Sequence, residues 1–118
     1  MQVPTLVIGA GMGGIRVIQT LADMARQNDD LEYYRFIAID SSEKDLKDRI
    51  KDRSIISTIA ITETGLDIEG YIRECPYLPD GSKAKGVGAV RDRAYARFLL
   101  DINMVKVNQA VSDALGQL

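Results

Sequence analysis

The residues with the clearest chemical meaning are the glycines that follow the first apolar segment. Gly9, Gly11 and Gly14 have the spacing G-x-G-x-x-G, which is typical of turns that hold a nucleotide phosphate. Gly9 permits a sharp exit from a strand, and Gly11 lets the backbone approach an anion without a Cβ in the way. The helix that follows would add N–H donors and a partial positive charge. The predicted phosphate turn comprises Gly9, Ala10, Gly11, Met12, Gly13 and Gly14.

The same glycines also have a purely structural interpretation, in which they only pack a strand tightly against a helix. We favour the phosphate interpretation because the pattern lies between a predicted strand and a predicted helix, as its mechanism requires. Residues 5–8 form a short apolar, β-branched run, which is typical of a strand buried in a parallel sheet. The helix is predicted from apolar residues that recur at intervals of three and four, namely Ile15, Ile18, Leu21, Ala22 and Ala25.

Asp40 and Ser41 form a second candidate position, at the end of the second predicted strand. An acidic side chain there could accept hydrogen bonds from ribose hydroxyls, because such folds bind ligands at the carboxyl ends of their strands. Asp40 lies farther along the chain than the roughly 20 residues typical of the dinucleotide motif. The alternative is that Asp40, with Ser41 and Ser42, only begins the next helix.

A second glycine segment, Gly86-Val87-Gly88, precedes Ala89 and a basic stretch. Arg91 is the best candidate there to reach an anion, because it lies about one turn into the predicted helix. Lys83, Arg93 and Arg97 are better explained as part of a solvated helix face. The candidate residues of this second phosphate segment are Gly86, Val87, Gly88, Ala89 and Arg91.

Several other kinds of chemistry are disfavoured. The chain has no histidine, the commonest transition-metal ligand and proton shuttle, so neither a metal site nor a catalytic triad is predicted. Cys75 is the single cysteine and receives no role. The formal net charge of −2 argues against a nucleic-acid partner. No apolar run approaches the roughly 18 residues of a membrane span and no basic leader is seen, so we expect a cytoplasmic protein without a membrane partner.

The pattern of apolar and breaker residues predicts one domain over residues 1–118, with the order β-α-β-α-β-loop-α. This order favours an α/β fold of the Rossmann-like type, with a mostly parallel sheet between two helix layers. The expected elements are strands at 5–8, 35–39 and 55–61, a helix at 13–26, a short exposed helix that starts with Ser42 and ends near residue 52, a loop at 62–85 with at most one helical turn, and helices after residue 88 with Asn103 as a cap.

Three stretches together resemble the N-terminal half of a tubulin/FtsZ-type GTPase, closest to the prokaryotic tubulin-like proteins: residues 5–14, residues 36–40, and residues 86–91 ahead of a long helix. The resemblance implies that the first glycine turn contacts the nucleotide phosphates and that Asp40 and Ser41 lie beside them. It also implies that Gly86 to Ala89 wrap the terminal phosphate. The implied ligand is GTP or GDP with magnesium, and the implied assembly is a head-to-tail homo-oligomer or filament.

The resemblance also bears on catalysis. The family's main phosphate loop and its water-activating acidic loop would follow residue 118, so we expect a fragment or a shortened relative. On this interpretation the chain hydrolyses GTP only when such later segments complete it, and no residue here is assigned a catalytic role.

Two other functions use the same residues. The glycines with Asp40 also fit the NAD- or FAD-binding part of an oxidoreductase. Alternatively, the fold is a protein-interaction module without a ligand, which self-associates through exposed apolar surface.

Overall fold

The structure, a computed structural model, describes residues 3–63, 67–85, 89 and 92–118. Its three strands form one parallel sheet in the order β1-β2-β3, so the expected α/β fold with a parallel sheet is confirmed. The elements are β1 (Thr5–Ala10), α1 (Gly11–Gln27), a 3-10 turn (Leu31–Tyr33), β2 (Tyr34–Asp40), α2 (Glu43–Arg49), β3 (Ile56–Ala60), α3 (Ile68–Glu74), α4 (Arg93–Ile102) and α5 (Met104–Gly116).

The register places the carboxyl ends of all three strands at one edge of the sheet, which we name the carboxyl edge. Ala10 of β1 lies opposite Ile39 of β2, and Asp40 lies opposite Ala60 of β3. The residues that end the first two strands are therefore neighbours in space.

The sheet separates two apolar clusters, as the expected three-layer arrangement requires. On one face, α1 packs on β1 and β2, and α2 packs on β2 and β3. The buried residues of this face are Ile15, Ile18, Ala22, Ala25, Phe36, Ala38, Leu46, Ile50 and Ile56. On the other face lie α3, α4 and α5, with the buried residues Ile37, Ile39, Ile59, Ile61, Ile68, Ile72, Leu78, Ala89, Tyr95, Phe98, Leu99, Val107 and Ala114. Alternate residues of β2 thus enter opposite clusters, as the two-residue period of a strand dictates.

Helix α2 begins where its capping residue predicts. The Asp45 N–H donates to Ser42 Oγ at 3.2 Å, which satisfies one of the N–H groups left unpaired at a helix start. The helix ends at Arg49, earlier than expected, and it is not wholly exposed. Leu46 and Ile50 are buried and attach this otherwise charged segment to the sheet.

The expectation of a loop with at most one helical turn at 62–85 is wrong, because α3 occupies residues 68–74. The Asp67 carboxylate accepts the Gly70 N–H at 3.2 Å and caps the helix. A Cβ at Gly70 would lie 2.4 Å from Asp67 Oδ2, so the glycine that suggested a break allows the cap to form. Ile68 and Ile72 then fall on one buried face.

Asn103 lies at the N-cap position of α5, as predicted, but its side chain does not cap that helix. The Asn103 amide instead donates to Leu99 O at 2.8 Å and to Thr62 O at 2.9 Å. Asn103 therefore ties the α4–α5 junction to the chain that leaves β3.

No helix in the described ranges is both long enough and apolar enough to cross a membrane.

Candidate functional site

The predicted phosphate turn lies at the carboxyl edge, but it is not a separate loop. Gly9 and Ala10 are the last residues of β1, and α1 starts directly at Gly11. Ala10 has extended backbone and Gly11 has φ 71°, in the left-handed region that glycine adopts without strain. The reversal from strand to helix is therefore made at Gly11 alone.

Gly9 and Gly14 pack the strand against the helix. A Cβ at Gly9 would lie 2.4 Å from Gly14 O and 2.6 Å from Ile18 Cδ1, and a Cβ at Gly14 would lie 2.9 Å from Gly9 C. These distances are too short for any side chain. The structural interpretation of the glycine pattern therefore explains Gly9 and Gly14.

The remaining glycines border open space at the start of α1. Among the described residues, and apart from the neighbouring residues and the backbone of α1 itself, no heavy atom lies within 4 Å of the positions where a Cβ would stand on Gly11 or Gly13. The N-cap residue is Ala10, which has no side-chain acceptor, and the first turn carries no acidic residue. Within the described residues, the N–H groups of this first turn have no side-chain acceptor, so the positive end of a 17-residue helix is open to an anion.

Asp40 is held in a local turn at the adjacent strand end. Its Oδ1 accepts the Ser42 N–H at 3.1 Å, and its backbone carbonyl accepts the Ile61 N–H at 2.9 Å. This bonding supports the interpretation that Asp40 helps to begin α2. Asp40 is half-buried and follows Ile39, which pairs with Ala10 at the start of α1.

Ser41 contacts one residue of the second predicted segment. Its Oγ accepts the Ala89 N–H at 3.0 Å, across 48 residues of sequence. The structure therefore brings Ala89 of the second predicted segment to the end of β2. Gly86, Val87, Gly88 and Arg91 lie outside the described residues, and their roles stay predictions.

A cluster that sequence reasoning missed holds the near end of the second segment. Tyr95 OH donates to Glu63 Oε1, which also accepts the Lys85 N–H at 3.0 Å. Lys85 Nζ pairs with Asp92 at 3.2 Å and lies 5.3 Å from the Tyr95 ring centroid. The apolar periodicity of α4 indicated that Tyr95 is buried, but nothing in the sequence indicated its partners.

Among the described residues, Tyr77 and Asp52 have shifted pKa values, and neither belongs to the predicted site. Burial and a hydrogen bond to Asp101 raise the pKa of the Tyr77 hydroxyl above its ordinary value, and the Arg97 guanidinium lies 4.1 Å from the Tyr77 ring centroid. Hydrogen bonds from Ser54 and Arg26 lower the pKa of Asp52.

A cavity of about 520 Å³ lies at the opposite, amino-terminal edge of the sheet, where β2 and β3 begin and α5 ends. Arg35 borders it and donates to the Gln117 backbone carbonyl at 3.3 Å. The cavity therefore does not coincide with the predicted site.

In the described part of the chain, no group of three His, Cys, Asp or Glu residues could hold a metal ion. No protein-family model, curated protein or solved structure matches this chain.

Proposed function

We propose that this domain binds a nucleotide through its phosphates at the start of α1. The observation that carries the proposal is the open first turn of α1, where Gly11 and Gly13 leave room for an anion and no described side chain accepts the N–H groups. A phosphate there would receive several N–H hydrogen bonds and the partial positive charge of the helix end.

The neighbouring groups suit the rest of such a ligand. Asp40 supplies an acceptor for ribose or a ligand for the magnesium that accompanies a nucleotide. Ser41 anchors Ala89, the described residue of the second predicted segment, at the end of β2. In the proposal Gly86, Val87, Gly88 and Arg91 complete the phosphate contacts.

We propose GTP or GDP as the nucleotide and a tubulin/FtsZ-type fold, on the strength of the sequence resemblance alone. Head-to-tail self-association, hydrolysis of GTP in a completed site and a cytoplasmic location, where nucleoside triphosphates are available, belong to the same proposal. None of the described residues is placed to distinguish guanine from adenine. The position of Asp40 at the end of β2 also favours a second candidate, a dinucleotide such as NAD.

Calorimetric titration with GTP, GDP, ATP and NAD, each with and without magnesium, tests the proposal. We expect a guanine nucleotide to give the strongest binding. Binding of NAD alone would favour the oxidoreductase alternative, and binding of ATP alone would refute guanine selectivity. Absence of binding with all four would overturn nucleotide binding by this chain.

A substitution at Gly13 separates ligand binding from folding. Gly13→Glu places a carboxylate at the third helical position, where it favours the helix start by about 0.3–1 kcal/mol and competes with phosphate for the same N–H groups. We expect at least a tenfold weaker nucleotide affinity, roughly 1.4 kcal/mol, without loss of thermal stability. Thr20→Glu, an exposed position farther along α1, is the control for added negative charge and should bind normally.

A further inference from the structure

The hydroxyl of Tyr95 is a buried polar group that the proposed phosphate contacts do not use. The Tyr95 side chain is 1% exposed, and its ring lies against that of Phe98, with 5.4 Å between the ring centroids. The hydroxyl donates to Glu63 Oε1 and accepts the Lys85 N–H at 3.2 Å. Tyr95 therefore joins α4 to the chain that leaves β3 and to the chain that follows α3.

Glu63 binds the same two groups through one oxygen. Its Oε1 accepts the Tyr95 hydroxyl and also the Lys85 N–H, which lies 3.0 Å away. Glu63 is half-buried and lies shortly after the end of β3, at the carboxyl edge. The Lys85 N–H is shared between a hydroxyl and a carboxylate, so the backbone of Lys85 is fixed relative to the sheet. We name these three residues the Tyr95 clamp.

The clamp also brings together two positions on either side of the second predicted phosphate segment. Lys85 Nζ pairs with Asp92 Oδ2 at 3.2 Å. The other oxygen of Asp92 accepts the Tyr95 N–H at 3.1 Å and caps α4. Residues 85 and 92 are therefore neighbours in space, and both are attached to Tyr95.

Ala89, which lies between these two positions in the sequence, is held at the end of β2. Its N–H donates to Ser41 Oγ at 3.0 Å, and its carbonyl accepts the Asp92 N–H at 3.0 Å. Ala89 is also buried in the apolar cluster beneath α4. Three described residues, Lys85, Ala89 and Asp92, are thus each held by hydrogen bonds near the carboxyl ends of β2 and β3.

We propose that Tyr95 and Glu63 are positioning residues of the nucleotide site, which hold Lys85 and Ala89 at the carboxyl edge before a ligand binds. This role rests on the nucleotide binding proposed above. Its physical basis is preorganisation: chain that is already ordered in the free protein need not be ordered on binding, so less of the interaction free energy is lost. Tyr95 and Glu63 act through the Lys85 backbone and do not contact the nucleotide.

The core does not require the hydroxyl of Tyr95. A phenylalanine ring would supply the same apolar packing against Phe98. The hydroxyl adds hydrogen bonds whose net contribution to stability is modest but whose geometry is specific. Removal of the hydroxyl alone therefore tests positioning without removal of the packed ring.

Titration of the Tyr95→Phe protein with GTP, GDP, ATP and NAD tests the role. We expect at least about fivefold weaker affinity for the nucleotide that the wild type binds most tightly. Tyr77→Phe is the matched control, because it also removes a hydroxyl that donates to a carboxylate, that of Asp101, outside the predicted site. The control should bind nucleotide as the wild type does.

Two variants of Glu63 test the same role through the other partner. Glu63→Gln keeps an oxygen that can accept the Tyr95 hydroxyl and the Lys85 N–H, whereas Glu63→Ala removes it. We expect Glu63→Ala to weaken the affinity at least about fivefold and Glu63→Gln to stay within about twofold of the wild type. A purely structural role would instead lower the temperature of unfolding and leave the Kd of the folded protein unchanged.

Amide exchange in the ligand-free protein measures the positioning itself. By NMR, the Lys85 amide of Tyr95→Phe should exchange at least about fivefold faster than that of the wild type, and Tyr77→Phe should leave it unchanged. Unchanged Lys85 exchange, or wild-type affinity in both Tyr95→Phe and Glu63→Ala, would overturn the positioning role while nucleotide binding by the wild type still stands. A wild type that binds none of the four nucleotides would overturn the proposed function and this role with it, so the two failures are distinguishable.

Discussion

At the scale of single residues, the glycines of the predicted phosphate turn have different structural roles. Gly9 and Gly14 are needed because strand and helix touch there, and Gly11 is needed because its φ is 71°. Gly13 has neither constraint. A β-branched residue at Gly11 would therefore strain the fold itself, so Gly13 is the position where ligand binding can be altered without damage to the structure.

The free energies of unfolding of glycine variants should distinguish these structural roles. Gly9→Ala forces a Cβ against Gly14 O and Ile18, and we expect a loss of about 1–3 kcal/mol in the free energy of unfolding. Gly13→Ala meets open space in a helix, and we expect a gain of roughly 0.5–1 kcal/mol. Urea unfolding followed by circular dichroism measures both changes. Equal effects of the two substitutions would contradict the packing role of Gly9.

At the scale of elements, Asn103 connects α4, α5 and the exit of β3 through one buried amide. Asn103→Ala leaves the Thr62 carbonyl without this donor, and we expect a loss of about 1–3 kcal/mol. Asn108→Ala, on the exposed side of α5, removes the same group without such contacts. Thermal unfolding of both variants checks the difference, and an Asn103→Ala protein as stable as Asn108→Ala would contradict this role.

Sequence patterns predict the elements whose conformation is determined by residues close together in the sequence. The three strands, α1 and the Ser42 cap follow from local runs and spacings. The sequence does not predict α3, because a glycine such as Gly70 usually breaks a helix, whereas here it makes room for the Asp67 side chain. Its buried face, Ile68 and Ile72, is too short to show a clear period.

The residues of the candidate site could likewise be predicted only where a local sequence pattern marks them. The glycines of α1 and the Ser41 position were identified because a parallel strand must end at the carboxyl edge. The bonds of Glu63 with Tyr95 and Lys85 could not be identified, since the partners lie 32 and 22 residues apart and no local pattern marks them. Contacts of this kind depend on how whole elements pack.

At the scale of the whole molecule, β2 is the structural centre. It pairs with both other strands, and its residues 36–39 are buried, with alternate side chains entering the two apolar clusters. α3, by contrast, is a seven-residue helix whose other side is exposed. The molecule therefore has a stable centre and a less stable margin.

Native-state hydrogen exchange should show this gradient. We expect the β2 amides to exchange only through global unfolding, since every route to solvent requires separation of a neighbouring strand. The α3 amides should exchange at least about tenfold faster through local opening. Mass spectrometry of peptides that cover 34–40 and 68–74 measures both, and equal protection would contradict the gradient.

The strand order also bears on how the chain reaches its fold. Each strand pairs with the strand next to it in sequence, so every pairing closes a loop of only roughly 20–30 residues, and no late strand has to insert between two earlier ones. The conformational entropy lost on closure is therefore modest at each step. During synthesis β1, α1 and β2 can associate first, and β3 can then add to the edge that β2 presents.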